Sequence, residues 1–195
     1  MKRINSLLFA MLGTALLMGI TSQIAAAQSV ASSGDDSVYF VTYFSNNIPG
    51  APDATVRIIN DGDISDNLYA GIYVFDDSEE LTECCYCQIT PDGLLSEDVK
   101  TQLTANPLTG KVPTRGVIKV ISWQFSDNVQ FTEPGLRAWA THIQAAGKNA
   151  YATTETKFAS ANLSGAEEGL LVNLCTYDAL LSGQPCTCTP EDHDF

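Results

Sequence analysis

Six cysteines constrain this chain more than any other feature. Three fall within four positions in "ECCYCQITPDG", as Cys84, Cys85 and Cys87, and three lie near the end, as Cys175, Cys186 and Cys188. Any fold must place two clusters, separated by about 90 residues, where their sulfurs find partners. Neighbours in an extended strand point to opposite faces, so Cys84 and Cys85 are poorly placed to bond one another. Cys85 and Cys87 share a face, as Cys186 and Cys188 do if that segment is extended. The simplest expectation is a tail laid beside the middle segment and stapled to it between clusters. A local bridge from Cys175 to Cys186 is the competing arrangement, and six cysteines allow fifteen pairings. Closing a loop of about 90 residues would add about 4 kcal/mol in the chain-entropy model.

The disulfide reading rests on compartment. Lys2 and Arg3 precede an apolar run over residues 7–20, and Ala25, Ala26 and Ala27 give a small-residue cleavage pattern. That is the layout of a secretory signal peptide over residues 1–27, with the cut after Ala27. The apolar run is short for a membrane anchor, which needs about 20 residues. An even cysteine count in an exported chain reads as disulfides. Zinc is the chief rival, but neither cluster has ribbon-type C-x2-C spacing, and only His193 lies near. Copper would enlist Met or His, and all three methionines (Met1, Met11, Met18) leave with the leader. A redox pair wants C-x-x-C opening a helix, whereas this cluster looks strand-like.

Cleavage leaves about 168 residues, enough for one domain with a real core. It also removes two cations and no acids, taking the net charge from -13 to -15. So acidic a surface repels phosphate backbones and disfavours nucleic acid as a partner. No later stretch is long and apolar enough to span a membrane as a helix. The expected location is therefore secreted, periplasmic or on the cell surface.

Residues 28–36 are small and polar and read as a flexible lead, followed by a single domain over residues 37–195. "SVYFVTYF", "ATVRIIN", "LYAGIYVFD", "GVIKVISWQF", "LRAWATHIQ" and "NAYATTETKF" are rich in β-branched and aromatic residues, as strands are. Gly, Pro, Asn and Asp punctuate them. "ATVRIIN" and "LYAGIYVFD" look like a hairpin or a sequential strand pair. Their apolar residues fall on both faces (Ile58 beside Ile59, Val74 beside Phe75), which suits the middle of a sandwich. The segment around Ser96 to Leu103 is ambiguous between a capped short helix and strand edges. The fold class expected is mainly β: an antiparallel, sandwich-like domain with one C-terminal helix, stabilised by disulfides.

The helix is predicted over about residues 164–182. Ser164 and Glu167 form a capping box, and Leu170, Leu171, Leu174, Tyr177, Leu180 and Leu181 recur at helical spacing. Gly169 weakens it, and Gly183 stands where a terminator belongs. Its apolar stripe should pack on a sheet.

The stretches "VRIIN", "IYVFD" leading into "ECCYCQITPDGL", "NPLTG", "LRAWATHIQ" and the final "CTC" resemble a group of uncharacterised secreted bacterial proteins that contain cysteines. The resemblance covers residues 54–188 and implies export and disulfides. It brings no activity and no catalytic residues.

No catalytic arrangement stands out: there is no G-x-S-x-G, H-E-x-x-H or phosphate-cradling glycine loop. His142 lies in a strand with no acid close in sequence and reads as a sheet histidine with ordinary partners. His193 sits in the tail. A glycosidase pair among the 23 carboxylates would be set by the fold rather than by sequence spacing. "NDGDISDN" resembles the start of a calcium loop, with Asp61, Asp63 and Ser65 at alternate positions. It departs from the EF-hand pattern, with Gly62 second and Ile72 where the twelfth-position Glu belongs. A weak calcium site is thus the one cofactor considered. Trp123 and Trp139, with Tyr39, Tyr43, Tyr69 and Tyr73, are candidate stacking residues for a sugar, against the plainer reading of core packing. The expected role is a non-enzymatic structural, adhesive or binding protein of the cell exterior, meeting a surface protein or a polysaccharide. The alternatives are a carbohydrate-binding module or carbohydrate-active enzyme, and an envelope calcium-binding protein.

Overall fold

A computed structural model describes residues 36–45, 48–104, 112–127, 129–148 and 150–182, with side chains described as far as Tyr177. The leader over residues 1–27, the lead as far as residue 35, Cys186, Cys188 and His193 lie outside the described residues.

Among the described residues, ten strands form two antiparallel sheets. They are β1 (Tyr39–Ser45), β2 (Thr55–Asn60), β3 (Leu68–Asp76), β4 (Leu81–Ile89), β5 (Leu94–Asp98), β6 (Arg115–Ser126), β7 (Val129–Thr132), β8 (Leu136–Gly147), β9 (Ala150–Lys157) and β10 (Ala159–Ser160). The first sheet runs β10-β1-β6-β3-β4, with β7 beside the far end of β6. The second runs β5-β2-β8-β9. One turn of π-helix, Val99–Leu103, follows β5, and helix α1 spans Gly165–Ser182.

The main core fills the space between the sheets. Phe40, Phe44, Ile72, Val74, Ile118 and Val120 come from the first sheet, and Val56, Ile58, Leu136 and Ala138 from the second. Burial of each large side chain stabilises by about 1.5–3 kcal/mol relative to exposure. A second cluster lies on the other face of the first sheet, where Tyr39, Tyr73, Ile121 and Trp123 meet Leu171 and Cys175 of α1. β3 is therefore covered on both faces, which explains its adjacent apolar residues. β2 differs: it alternates strictly, burying Val56, Ile58 and Asn60 and leaving Ile59 half-buried.

Two expectations change and one ambiguity is resolved. β2 and β3 do not form a hairpin or pair at all, because the intervening loop carries the chain from one sheet to the other. Asn60 anchors that crossing, donating from Nδ2 to the carbonyls of Asp66 (3.1 Å) and Ile89 (3.2 Å). Ser96 sits within β5 rather than capping a helix. The cap of the π turn comes from Asp53, whose carboxylate accepts from Lys100 N at 2.9 Å and Thr101 N at 3.1 Å. The apolar stripe of α1 is narrower than its spacing implied: Leu171 is fully buried, whereas Leu170 and Tyr177 are 51% and 64% exposed.

The helix begins where the capping box placed it. Ser164 Oγ accepts from Glu167 N at 3.1 Å. The Glu167 carboxylate turns instead to the sheet, where Lys119 Nζ and the Tyr39 hydroxyl (3.1 Å) both donate to it. The Lys119 hydrogen bond holds the Glu167 carboxyl below its usual range, against a smaller opposing effect of burial. Burial, reinforced by Glu167, pushes the Tyr39 phenol well above its usual range. Charge and apolar contact thus dock the first turn of α1 together.

Candidate binding cleft

The cysteine clusters do meet. β4 alternates, so Cys84 faces α1 while Cys85 and Cys87 face the main core. Cys84 bonds Cys175, across 91 positions of sequence, with Cα atoms 5.4 Å apart. That pairing excludes a local Cys175–Cys186 bridge. Cys85 and Cys87 are disulfide-bonded as well.

The loop considered for calcium holds its acids differently. One oxygen of Asp61 pairs with Arg137 at 2.6 Å, both side chains being under a fifth exposed. The other accepts from Asp63 N at 3.2 Å. Asp63 and Ser65 are exposed, and no group of three or more His, Cys, Asp or Glu side chains among the described residues is placed to hold a metal ion.

The two tryptophans lie on different sheets. Trp123 is 1% exposed beneath the edge of the helix layer, laid over Gly71. Trp139 is half-buried on the outer face of the second sheet, paired across strands with Arg57 and Lys157. No common platform joins them. The partly exposed aromatic cluster of the first sheet is instead Tyr69, Phe125 and Tyr86, with Tyr69 and Phe125 edge-to-face at 4.7 Å.

His142 is the residue whose surroundings depart most from expectation. In β8 it follows Leu136, Ala138 and Ala140 on the inward face, so the strand period points it between the sheets. It is 3% exposed. Nε2 lies 2.7 Å from the Thr156 hydroxyl of β9, while Nδ1 has no hydrogen-bond partner. Burial pushes the imidazole below its usual range, so the ring is neutral near pH 7. Tyr43 of β1 stacks on it, with centroids 4.3 Å apart and planes 24° from parallel.

Topology leaves this corner open. The chain passes from the second sheet to the first at Phe158, whose N–H donates to Ala138 O at 2.9 Å. β10 then pairs only with Phe40 and Val41, so residues 42–45 of β1 have no strand on that edge among the described residues. Opposite them every residue of β9 is exposed, including Thr154 and Thr156 on the inward face. The sheets therefore part beyond Phe158.

Two hollows occupy the opening. One, of about 320 Å³, is lined by Tyr43, His142 and Gln144; the other, of about 450 Å³, lies between the segment from Ile48 to Asp53 and the π turn at Lys100 and Thr101. They share Ser45, Ile48 and Ile143 and form one trough. Each falls within the roughly 300–1,000 Å³ of small-ligand sites. The walls mix hydroxyls (Ser45, Thr101, Thr114) with apolar Ile48, Pro49, Pro52 and Ile143. The lone carboxylate of the lining, Asp53, is engaged by the π turn. Sequence reasoning located His142 in a strand and named Tyr43 among the aromatic residues able to stack on a sugar, but it missed their contact with one another, Thr156 and the trough. The inward run of Ala138 and Ala140 before His142 was the available signal, since small residues leave room beside a larger polar one.

No protein-family model matches the chain, and no curated protein does. Solved structures that it resembles include the crystal structure of Thermotoga maritima 1070, at 18% identity and a TM-score of 0.41, over 68% of this chain and 99% of that one. Another is the Anabaena sensory rhodopsin transducer, at 12% identity and a TM-score of 0.35, over 63% of this chain and 96% of the other.

Proposed function

We propose that this chain is an exported, non-enzymatic binding protein of the cell exterior, with the trough between the parted sheet edges as its recognition site. One observation carries the reading: His142 is buried, stacked and held at Nε2, yet lines an open hollow with Nδ1 unpaired. An unpaired buried polar atom is costly to keep, and this one belongs to a side chain that lines the hollow. A general base needs a partner that orients it and a group to act on. The partner of His142 is a threonine hydroxyl rather than a carboxylate, which favours binding over catalysis. The disulfide between Cys84 and Cys175, with Cys85 and Cys87 also bonded, supports a location outside the reducing cytoplasm. A calcium-binding role draws less support, because Asp61 is committed to Arg137.

Co-sedimentation of the labelled full chain with washed bacterial cell envelopes tests the proposal. Saturable binding, reduced at least fivefold by Tyr43→Ala, is the expected result. Release of soluble products from the envelopes by the purified protein, or retention unchanged by that substitution, overturns it.

A further inference from the structure

The backbone at the rim of the trough says what kind of partner fits it, and this step rests on the binding role proposed above. Hydrogen bonds along β1 alternate between its two sides. Ser122 N donates to Val38 O at 2.8 Å, which sets the even-numbered residues of this stretch facing β6. Ala161 N donates to Tyr39 O at 2.9 Å, and Val41 lies opposite Ala159, so the odd-numbered residues face β10. Tyr43 is the next odd residue. β10 no longer reaches it, because Phe158 N has turned to Ala138 O of the second sheet. The N–H and C=O of Tyr43 therefore point to an edge with no strand among the described residues, on a residue that is 51% exposed.

Such an edge is a template for another extended backbone. Sheets protect their edges with proline, charge or a covering segment. From Tyr39 to Ser45 there is neither proline nor charge. β10 pairs with this edge at Phe40 and Val41, and the hollow of about 320 Å³ lies where its line would continue, with Tyr43 in the wall. Ile48, Ile143 and Ala145 give that hollow an apolar lining for a side chain on the inward face of an added strand. Ser45 and His142 already have partners, and neither is needed. Charge does not select the ligand: Lys100 brings an ammonium to the adjoining hollow, beside the Asp53 carboxylate that the π turn engages. β9 is the competing edge, with the backbone groups of Thr153 and Glu155 turned away from β8. It carries Glu155 and Lys157, the protection that β1 lacks.

We infer that an extended peptide segment of a partner protein adds to β1 at Tyr43, in line with β10, and seats an apolar side chain in the hollow beside Ile48 and Ile143.

An array of short peptides of unbiased sequence, probed with the full chain, tests the inference. The strongest hit is then N-methylated one amide at a time. Methylation of the one amide that meets Tyr43 C=O should weaken binding at least tenfold, whereas methylation of either neighbouring amide, which points away from β1, should leave it in place. In the protein, the Tyr43 amide should exchange freely with solvent until the peptide is added, then slow at least tenfold. The amides of Thr42 and Phe44, bonded to β6, should be protected throughout, and that of Thr153 should not change. Phe125→Ala, in the aromatic cluster of the other sheet face, should bind as the parent does. Envelopes digested with protease beforehand should no longer retain the chain. No retained peptide, tolerance of methylation at every amide, slowing at Thr153 instead of Tyr43, equal loss in Phe125→Ala, or undiminished binding to digested envelopes each overturns strand addition. The last result would leave the binding role standing and give the trough a ligand other than peptide, such as a glycan.

Discussion

At the scale of single residues, a few side chains decide what the sheets can hold. Gly71 is one. A Cβ there would lie 2.5 Å from Trp123 Nε1 and 2.8 Å from Cδ1, with the Tyr73 hydroxyl 3.3 Å away. The indole is rigid and fully buried, so it has nowhere to retreat. Gly71→Ala should cost about 1–3 kcal/mol by overpacking, read as a lower urea midpoint with an unchanged slope. Glu167 governs a pH window. Its folded carboxyl is held below the ordinary range by Lys119, so its contribution is full above the usual pKa of about 4.5 and disappears as pH falls through the folded value. The stability of the parent should therefore fall more steeply below about pH 4.5 than that of Glu167→Gln, in denaturant titrations at stepped pH. Neither role was legible beforehand. The sequence marked Gly71 only as one small residue in a strand, and it read Glu167 as half of a capping box. What fixes both is a neighbour brought from far along the chain.

Among the elements, local pattern and long-range partner separate cleanly. β1, β3, β6, β8, β9 and α1 stand where β-branched, aromatic and helical spacings placed them. Those spacings are local properties and survive without tertiary context. The partner of β2 was misread because a strand carries no mark of the sheet it joins. The π turn was read only as one alternative, a short helix through Leu103 capped by Ser96, because its cap, Asp53, lies 47 positions from Lys100. The buried face of α1 was drawn too wide, since helical spacing alone does not show how far around the helix the sheet reaches. Two adjacent leucines test that face. Leu171→Ala should destabilise by about 2–5 kcal/mol, whereas Leu170→Ala should stay within about 0.5 kcal/mol of the parent. Equal effects would mean that the helix does not dock through Leu171.

For the whole molecule, the layering explains both durability and opening. A sandwich buries one face of each sheet; α1 then covers the second face of one sheet and is fastened there by Cys84 and Cys175. The residues most useful for fold class were the cysteines, because their clustering foretold a long-range link without fixing the pairs. The trough was not legible, because it exists only where β10 stops after two residues and β9 stands uncovered. No helix among the described residues is long and apolar enough to cross a membrane. The opening therefore depends on how the sheet edges end, and its chemistry on one imidazole. The chain contains two histidines, His142 and His193, which makes that imidazole simple to follow. Nitrogen-detected imidazole spectra of the intact protein, taken from about pH 8 to about pH 5, should show one ring still neutral below about pH 6.5, the ordinary histidine value. Two rings that gain their protons together near that value would contradict a buried, neutral His142 facing the trough.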